Sequence, residues 1–457
     1  MYVSTRNSDK TYSTAEVICG INPADKGLIV PNTLPNISNS ELEMIQDSDF
    51  IETAAFTLNK FFPDIKTEDC LSICKNAFED KTQDDFCSIF NEAVPSVVYL
   101  SEDEAMLELN KGQTSCCVDY TVKLLVAYIK QNKAFFERKQ IEIVTTENNF
   151  FCSIEEEISS FENIKAVYLK NDKKLGYYEK AKLKYAEKKG GTIETEYKYI
   201  YEYTQTKSNS DNIIIYLGSD SFFNIVVNFA ILLSAYADML IGGSTDSEGK
   251  INLSFSVDSY GLLPAAIYFK NCTRAVNKVI LSEEDGGSTV KFIKNGTVES
   301  NYDYKSIGFE RIYFELTGRN YDKTADVFSK IEKDENYTEN GIKFLTKDFY
   351  IAESEKDDIL DSVADFFEDF GYVCDYLTGK GIAAADEYFD VTSDETPILY
   401  CSLDTPLFSP EEVYLAIAEI AAKSPFIAQK QLITETGEEM TDYIKNVSDE
   451  AKNIEAE

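Results

Sequence analysis

Apolar positions along this chain change period several times, and each change marks a new element. Between residues 40 and 92 the stretches SELEMIQ, DFIETAAFTLNKFF and TEDCLSICKNAF carry apolar residues at i, i+3 and i+4, which predicts helices. Thr67, followed by Glu68 and Asp69, reads as the N-terminus of the last of them. The short runs VPSVVYLSED, QIEIVTT and IKAVYLK predict strands. AMLELNKGQT reads as a strand ending in a Gly-containing loop, after which Val118, Val122, Leu125 and Ile129 share one helical face. Further along, NIIIYLG, INLSFSVDS, VNKVILS and TPILYCSL read as buried strands. Between them stand SFFNIVVNFAILLSAYADMLI and YGLLPAAIYFKNC as apolar helices. Residues 355–372 form an acidic amphipathic helix, and SPEEVYLAIAEIAAK a helix opened by Ser-Pro. Residues 171–211 are charged, Tyr-rich and poorly patterned, which reads as solvated helix and loop. The last 24 residues, from Thr434, read as an acidic and mostly solvent-exposed tail.

Strand and helix alternating in this way argue for an α/β protein with a parallel sheet. Residues 1–31 add short strands and turns, with Pro23, Asp25 and Gly27 clustered before Leu28-Ile29-Val30. At 457 residues, two or three domains are the ordinary expectation, at ~150 residues each.

Composition changes this picture mainly by exclusion. The net charge of −36 repels nucleic acid and anionic membrane surfaces, so neither is expected as a partner. Histidine is absent, which removes the commonest general acid/base near neutral pH and the commonest metal ligand. The ten cysteines form no CxxC pair, so no metal site is expected. Cys116 and Cys117 have no histidine to activate them, and packing is the better reading of both. Without a secretory h-region, reduced thiols in the cytoplasm are expected. The apolar stretch 221–241 is interrupted by Asn224 and Asn228, and reads as a buried helix rather than a membrane span.

Five segments in order carry a family resemblance: YVSTR (2–6), GINPADKGLIVP (20–31), LLSAYADML (232–240), GFERIYFEL (308–316) and LYCSLDTPLFSPEEV (399–413). Together they resemble the threonine synthases, pyridoxal-phosphate enzymes of the fold type shared with tryptophan synthase β-chain. The resemblance implies fold type II architecture. It divides the chain into an N-terminal region (1–98), a smaller α/β lobe (99–210) and a larger one (211–457) bearing the acidic tail.

The same resemblance locates the chemistry. The family's cofactor lysine lies in Leu-Glu-Leu-Phe-His-Gly-Pro-Thr-x-Ala-Phe-Lys-Asp. Here that string is LELNKGQTSCCVD (107–119), with Val118 at the lysine position and Asp119 retained. Valine has no amine for a Schiff base. Lys123 lies roughly 140° around the helix from Val118, which leaves Lys111 as the one rescue the alignment offers. The anion loop aligns with TENNFF (146–151), keeping Thr146 but bringing Glu147, Phe150 and Phe151 where glycines would let backbone N–H groups converge. The cofactor-phosphate loop aligns with SVDSYGL (256–262), keeping Ser259 and Gly261 while Asp258 opposes a dianion. DYLT (375–378) keeps Asp375 and Thr378, and an arginine of the family becomes Asn224.

The matches fall on elements and the departures on ligand-touching motifs. No catalytic residue and no cofactor are therefore expected, with Asp119, Thr146, Ser259, Gly261, Asp375 and Thr378 as remnants of the cleft. The large side chains at 118, 150, 151, 222, 223 and 260 are expected to fill it. The reading is a non-catalytic pseudoenzyme, monomer or homodimer, that binds a protein partner or an altered small ligand. The alternative is a pyridoxal-phosphate-dependent threonine synthase, a lyase acting on O-phosphohomoserine, or a related amino-acid enzyme with rebuilt chemistry.

Overall fold

Tyr2–Ser4 runs between Asn7–Tyr12 and Ile29–Pro31 in a three-stranded antiparallel sheet. The computed structural model describes residues 1–79, 94–136, 139–171, 174–197, 199–284, 287–298, 308–333, 337–338 and 345–456. Helices Asn39–Gln46, Phe50–Phe61 and Thr67–Phe78 follow this sheet, as the periodicity predicts. Ser38 with Glu41 and Asp49 with Glu52 cap the first two reciprocally, so both helix starts are encoded locally. Residues 80–93, the end of the stretch read as helical, lie outside the described residues. The Tyr2 hydroxyl donates to the Phe61 carbonyl and joins sheet to helix.

Two of the family-like segments meet physically. The Arg6 guanidinium grips Glu310 with two hydrogen bonds of 2.9 and 2.8 Å, and both side chains are buried. Thr5 donates to the same carboxylate. Arg6 also pairs with Glu332 at 2.8 Å, so it is removal of Arg6 that would leave the buried Glu310 carboxylate uncompensated, at a cost of about 3–5 kcal/mol. YVSTR and GFERIYFEL are thus joined directly by their own side chains.

The larger sheet has six strands in the order Phe349–Ser354, Val276–Glu284, Ile251–Ser256, Ile398–Ser402, Glu104–Glu108 and Ser96–Tyr99. All its pairings are parallel except the last, where Ser96–Tyr99 forms an antiparallel edge. The smaller sheet is wholly parallel, in the order Thr192–Glu194, Ile164–Leu169, Gln140–Thr145 and Asn212–Tyr216. The lobe limits drawn from the sequence cut across these sheets. Glu104–Glu108 pairs in the larger sheet, and Asn212–Tyr216 closes the smaller one. Linear position does not record strand pairing between residues as distant in sequence as Glu104 and Ile398.

The helix Phe222–Gly242 packs against Phe50–Phe61 and Leu262–Thr273 at the centre of the molecule. By length and composition it is apolar enough to cross a membrane, but 72% of its most apolar window is buried inside the protein. Two segments read as solvated are packed instead. Residues 177–207 form the helix Tyr177–Lys189, the paired strand Thr192–Glu194 and the helix Ile200–Lys207. The helix Asp442–Ala456 lies along Tyr177–Lys189 and buries Tyr443, Ile444, Val447 and Ala451. In both, a narrow apolar stripe is outnumbered by charges on the exposed faces, so the average composition reads as solvated. The expected helix over 409–423 stops at Ala418, where Glu419 adopts a positive φ of 54°, and a second helix runs Pro425–Thr436.

Candidate functional site

In open α/β sheets, ligands sit beyond the carboxyl ends of the parallel strands. Five such ends converge here: the turns after Glu104–Glu108, Gln140–Thr145, Asn212–Tyr216, Ile251–Ser256 and Ile398–Ser402. The segment LELNKGQTSCCVD leaves the first of them. Its Leu109 and Cys117 amides donate to Ser402 and Leu403, which pins the loop to the neighbouring strand's exit. Asp119, 2% exposed, accepts hydrogen bonds from the Thr114 amide (2.8 Å), the Thr114 hydroxyl (2.7 Å) and the Ser153 hydroxyl (2.5 Å). The loop closes so tightly that a Cβ on Gly112 would lie 2.3 Å from an Asp119 oxygen. Val118 is buried at the start of the helix Asp119–Gln131.

The turn after Ile251–Ser256 faces this helix start. Tyr260 and Gly261 both take positive φ, 49° and 87°, before the helix Leu262–Thr273 begins. Asn224 bridges the two sides, accepting from the Thr121 hydroxyl (2.7 Å) and donating to the Tyr260 carbonyl (2.8 Å). Asn228 donates to that same carbonyl. A Cβ on Gly261 would stand 2.4 Å from the Asn224 amide nitrogen and 2.5 Å from the Ser219 carbonyl oxygen. Ser259 is buried, and its hydroxyl has no hydrogen-bond partner among the described residues. Asp258 is exposed on the same turn. Asn224 thus joins the helix start that follows Val118 to the turn that carries Gly261.

Three residues that the sequence reading passed over form the centre of this cleft. Lys182, on the helix Tyr177–Lys189, is 3% exposed. Its ammonium lies 3.4 Å from Asp404, donates to the Asn149 amide oxygen (3.2 Å) and sits 3.9 Å above the Phe408 ring centroid. The Asn149 amide nitrogen reaches the Tyr260 hydroxyl (2.8 Å), the Cys116 sulfur (3.2 Å) and Asp404 (3.3 Å). An amide nitrogen has two hydrogens, so these three acceptors share two bonds. Burial opposes the Lys182 charge, but the Asp404 carboxylate together with the neighbouring Cys116 and Cys152 raises the amine above its ordinary range. Burial raises the Asp404 carboxyl, and Lys182 works against that shift. The phase of the Tyr177–Lys189 helix held the missed signal. Tyr178, Lys182 and Ala186 fall at i, i+4 and i+8, a stripe whose middle member is the lysine.

The remaining candidates have structural partners. Asp375 caps the helix Tyr376–Thr392, accepting from the Leu377 and Thr378 amides and the Thr378 hydroxyl. Burial pushes its carboxyl up to about 6. The Thr146 carbonyl accepts from Asn171. Glu147 accepts from the Ser219 amide at 2.6 Å and from the Ser219 hydroxyl. Lys111 is half exposed and pairs with Glu108 at 3.3 Å, on the surface. The Cys117 thiol is held well above its ordinary range by burial.

The aromatic side chains expected in the cleft are buried, but most pack elsewhere. Phe151 lies against Tyr168 and Gly191. Phe222 and Phe223 stack with Tyr2, Phe61 and Phe62 in the N-terminal core. Of that set, Val118 and Tyr260 line the cleft, and its centre is polar.

Two lobes with parallel sheets, and a site at their facing strand ends, define the architecture of the fold type II pyridoxal-phosphate enzymes. Within that class the chain is similar to the threonine synthases, and the resemblance read from its sequence is borne out. Residues 1–78 match the family model described as threonine synthase N terminus. The chain is 20% identical to the threonine synthase of Methylobacillus glycogenes over 460 residues, 93% of this chain and 92% of that protein. Its fold superposes on the pyridoxal-phosphate-bound threonine synthase of Brucella melitensis with a TM-score of 0.74 at 15% identity, covering 99% of this chain and 98% of that one. The yeast threonine synthase gives 0.75 at 16% identity, covering 100% and 98%.

Proposed function

We propose that this threonine synthase-like protein is a non-catalytic relative, which keeps the fold and acts by binding a protein partner or an altered small ligand. The observation that carries the reading is Val118. It stands at the aligned lysine position and is 1% exposed, beside a cleft whose centre is occupied by the chain's own side chains. A bound pyridoxal phosphate supplies an electron sink for amino-acid chemistry, and holding it takes an amine, an anion cradle and room. Of these, the buried Ser259 hydroxyl, without a partner among the described residues, is a cradle-like feature. Against it stand the Asn149–Tyr260 bond, which spans the space, and the Asn224 and Ser219 groups that pack closely on Gly261. The residues present do not fit the cofactor. A reducing cytoplasm suits the nine described cysteines, all of them free.

The second reading, an amino-acid enzyme with rebuilt chemistry, has one observation in its favour. Lys182 brings an amine into the cleft from a different helix. One experiment separates the two. Full-length protein is incubated with pyridoxal phosphate, reduced with borohydride and mapped by peptide mass. The expected result is no visible aldimine band and no stoichiometric adduct. A stoichiometric adduct at Lys182 or Lys111 overturns the non-catalytic reading and identifies the replacement amine.

A further inference from the structure

We propose that Lys182, Asp404 and Asn149 form a latch that holds the two lobes closed on each other, an internal occupant of the cleft between them. The members come from opposite sides. Lys182 and Asn149 stand on helices of the smaller lobe, Tyr177–Lys189 and Asn148–Ile158. Asp404 follows the larger-sheet strand Ile398–Ser402, and Tyr260 precedes the helix Leu262–Thr273. Every polar contact of the cluster therefore crosses the cleft or supports one that does.

The latch has an apolar collar on one side. Phe408 lies beneath the Lys182 ammonium and packs 5.7 Å from the Tyr178 ring and 6.1 Å from the Tyr443 ring, centroid to centroid. Tyr443 belongs to the C-terminal helix Asp442–Ala456, which is fastened to the smaller lobe by Tyr177 donating to the Ala451 carbonyl and by the Lys188–Glu450 ion pair. That helix covers the flank from which water would enter. An ammonium and a carboxylate out of water attract strongly, and separating them means rehydrating both across an opening cleft. Among the described residues the carboxylate paired with Lys182 is that of Asp404, so opening the cleft breaks this ion pair.

The latch rests on the reading of the cleft as filled, and its test is independent of pyridoxal phosphate, so the two can fail separately. Amide hydrogen exchange is followed by mass spectrometry on the full chain, comparing wild type with Lys182→Met and with Asp404→Asn. The expected result is exchange at least tenfold faster in peptides covering 112–119, 146–153 and 403–408. Peptides of the N-terminal sheet, covering 2–4 and 29–31, should be unchanged. If either charge variant fails to fold, the uncharged Asn149→Ala carries the same test, with at least threefold faster exchange expected in those three segments. Exchange within twofold of wild type in the foldable variants overturns the latch. So does an acceleration that is equal in the cleft and in the N-terminal sheet, because that is global destabilisation rather than opening.

Discussion

Reinstalling the aligned lysine with Val118→Lys puts the closed cleft under direct test. Val118 is 1% exposed, and fully burying a valine is worth about 1.5–3 kcal/mol. The lysine stem recovers part of that contact, so the ammonium dominates the cost. Asp119, the nearest carboxylate in sequence, already accepts three hydrogen bonds and is turned toward Thr114 and Ser153. Without a partner the new amine is held neutral. Displacing its pKa from about 10.4 to 7 costs about 4–5 kcal/mol at 1.36 kcal/mol per unit. The variant should lose about 4 kcal/mol at pH 7 in urea unfolding, read as a lower midpoint with an unchanged slope. The sign of its pH dependence is set by the depressed amine. Above about pH 7 the unfolded chain binds a proton that the folded chain does not, so the deficit relative to wild type is full below about pH 7 and shrinks as pH rises toward 10. No aldimine absorbance should appear with pyridoxal phosphate. A variant within about 1 kcal/mol of wild type that also binds the cofactor covalently would show that the cleft has room, and would refute the argument.

Two further outcomes follow from buried carboxylates. Asp119→Ala leaves the Thr114 amide and two hydroxyls, of Thr114 and Ser153, buried without their acceptor, and should cost about 3 kcal/mol in the same assay; a loss under about 1 kcal/mol would mean that water replaces the carboxylate. Glu155, 5% exposed, has its carboxyl raised to about 7 by burial, opposed by Lys189. The folded protein then keeps a proton that the unfolded chain releases near pH 4.3, so this contribution is full below that pH and is lost as pH rises to about 7. Glu155→Gln should therefore flatten the fall in stability between pH 4.5 and 7.5, on the order of 1–3 kcal/mol, and identical wild-type and variant pH profiles would exclude the raised carboxyl.

The elements legible in the sequence are those whose signal is local. The capped helices at 39–61, the strand runs at 140–145, 164–169 and 251–256, and the buried helix Phe222–Gly242 each carry their own periodicity or cap. The family-like segments were legible too, and the structure gives a reason for one pair of them, since Arg6 and Glu310 bind each other. The segments 177–207 and 442–456 were misread because burial there rests on a few residues in one helical phase. Four of them, Tyr443, Ile444, Val447 and Ala451, are embedded among acidic neighbours.

That residue 118 is a valine, with no amine to offer, was decided by the sequence alone, and no folding changes which side chain stands there. The sequence also carried Lys182, but its role came from three dimensions. A lysine in a run of lysines reads as solvated, because nothing local distinguishes the one that faces inward. Only the packing of Tyr177–Lys189 beneath the C-terminal helix turns that ammonium toward Asp404, 222 residues away. The identity of a side chain is a local property, whereas its partner and its dielectric surroundings are set by the elements that close around it.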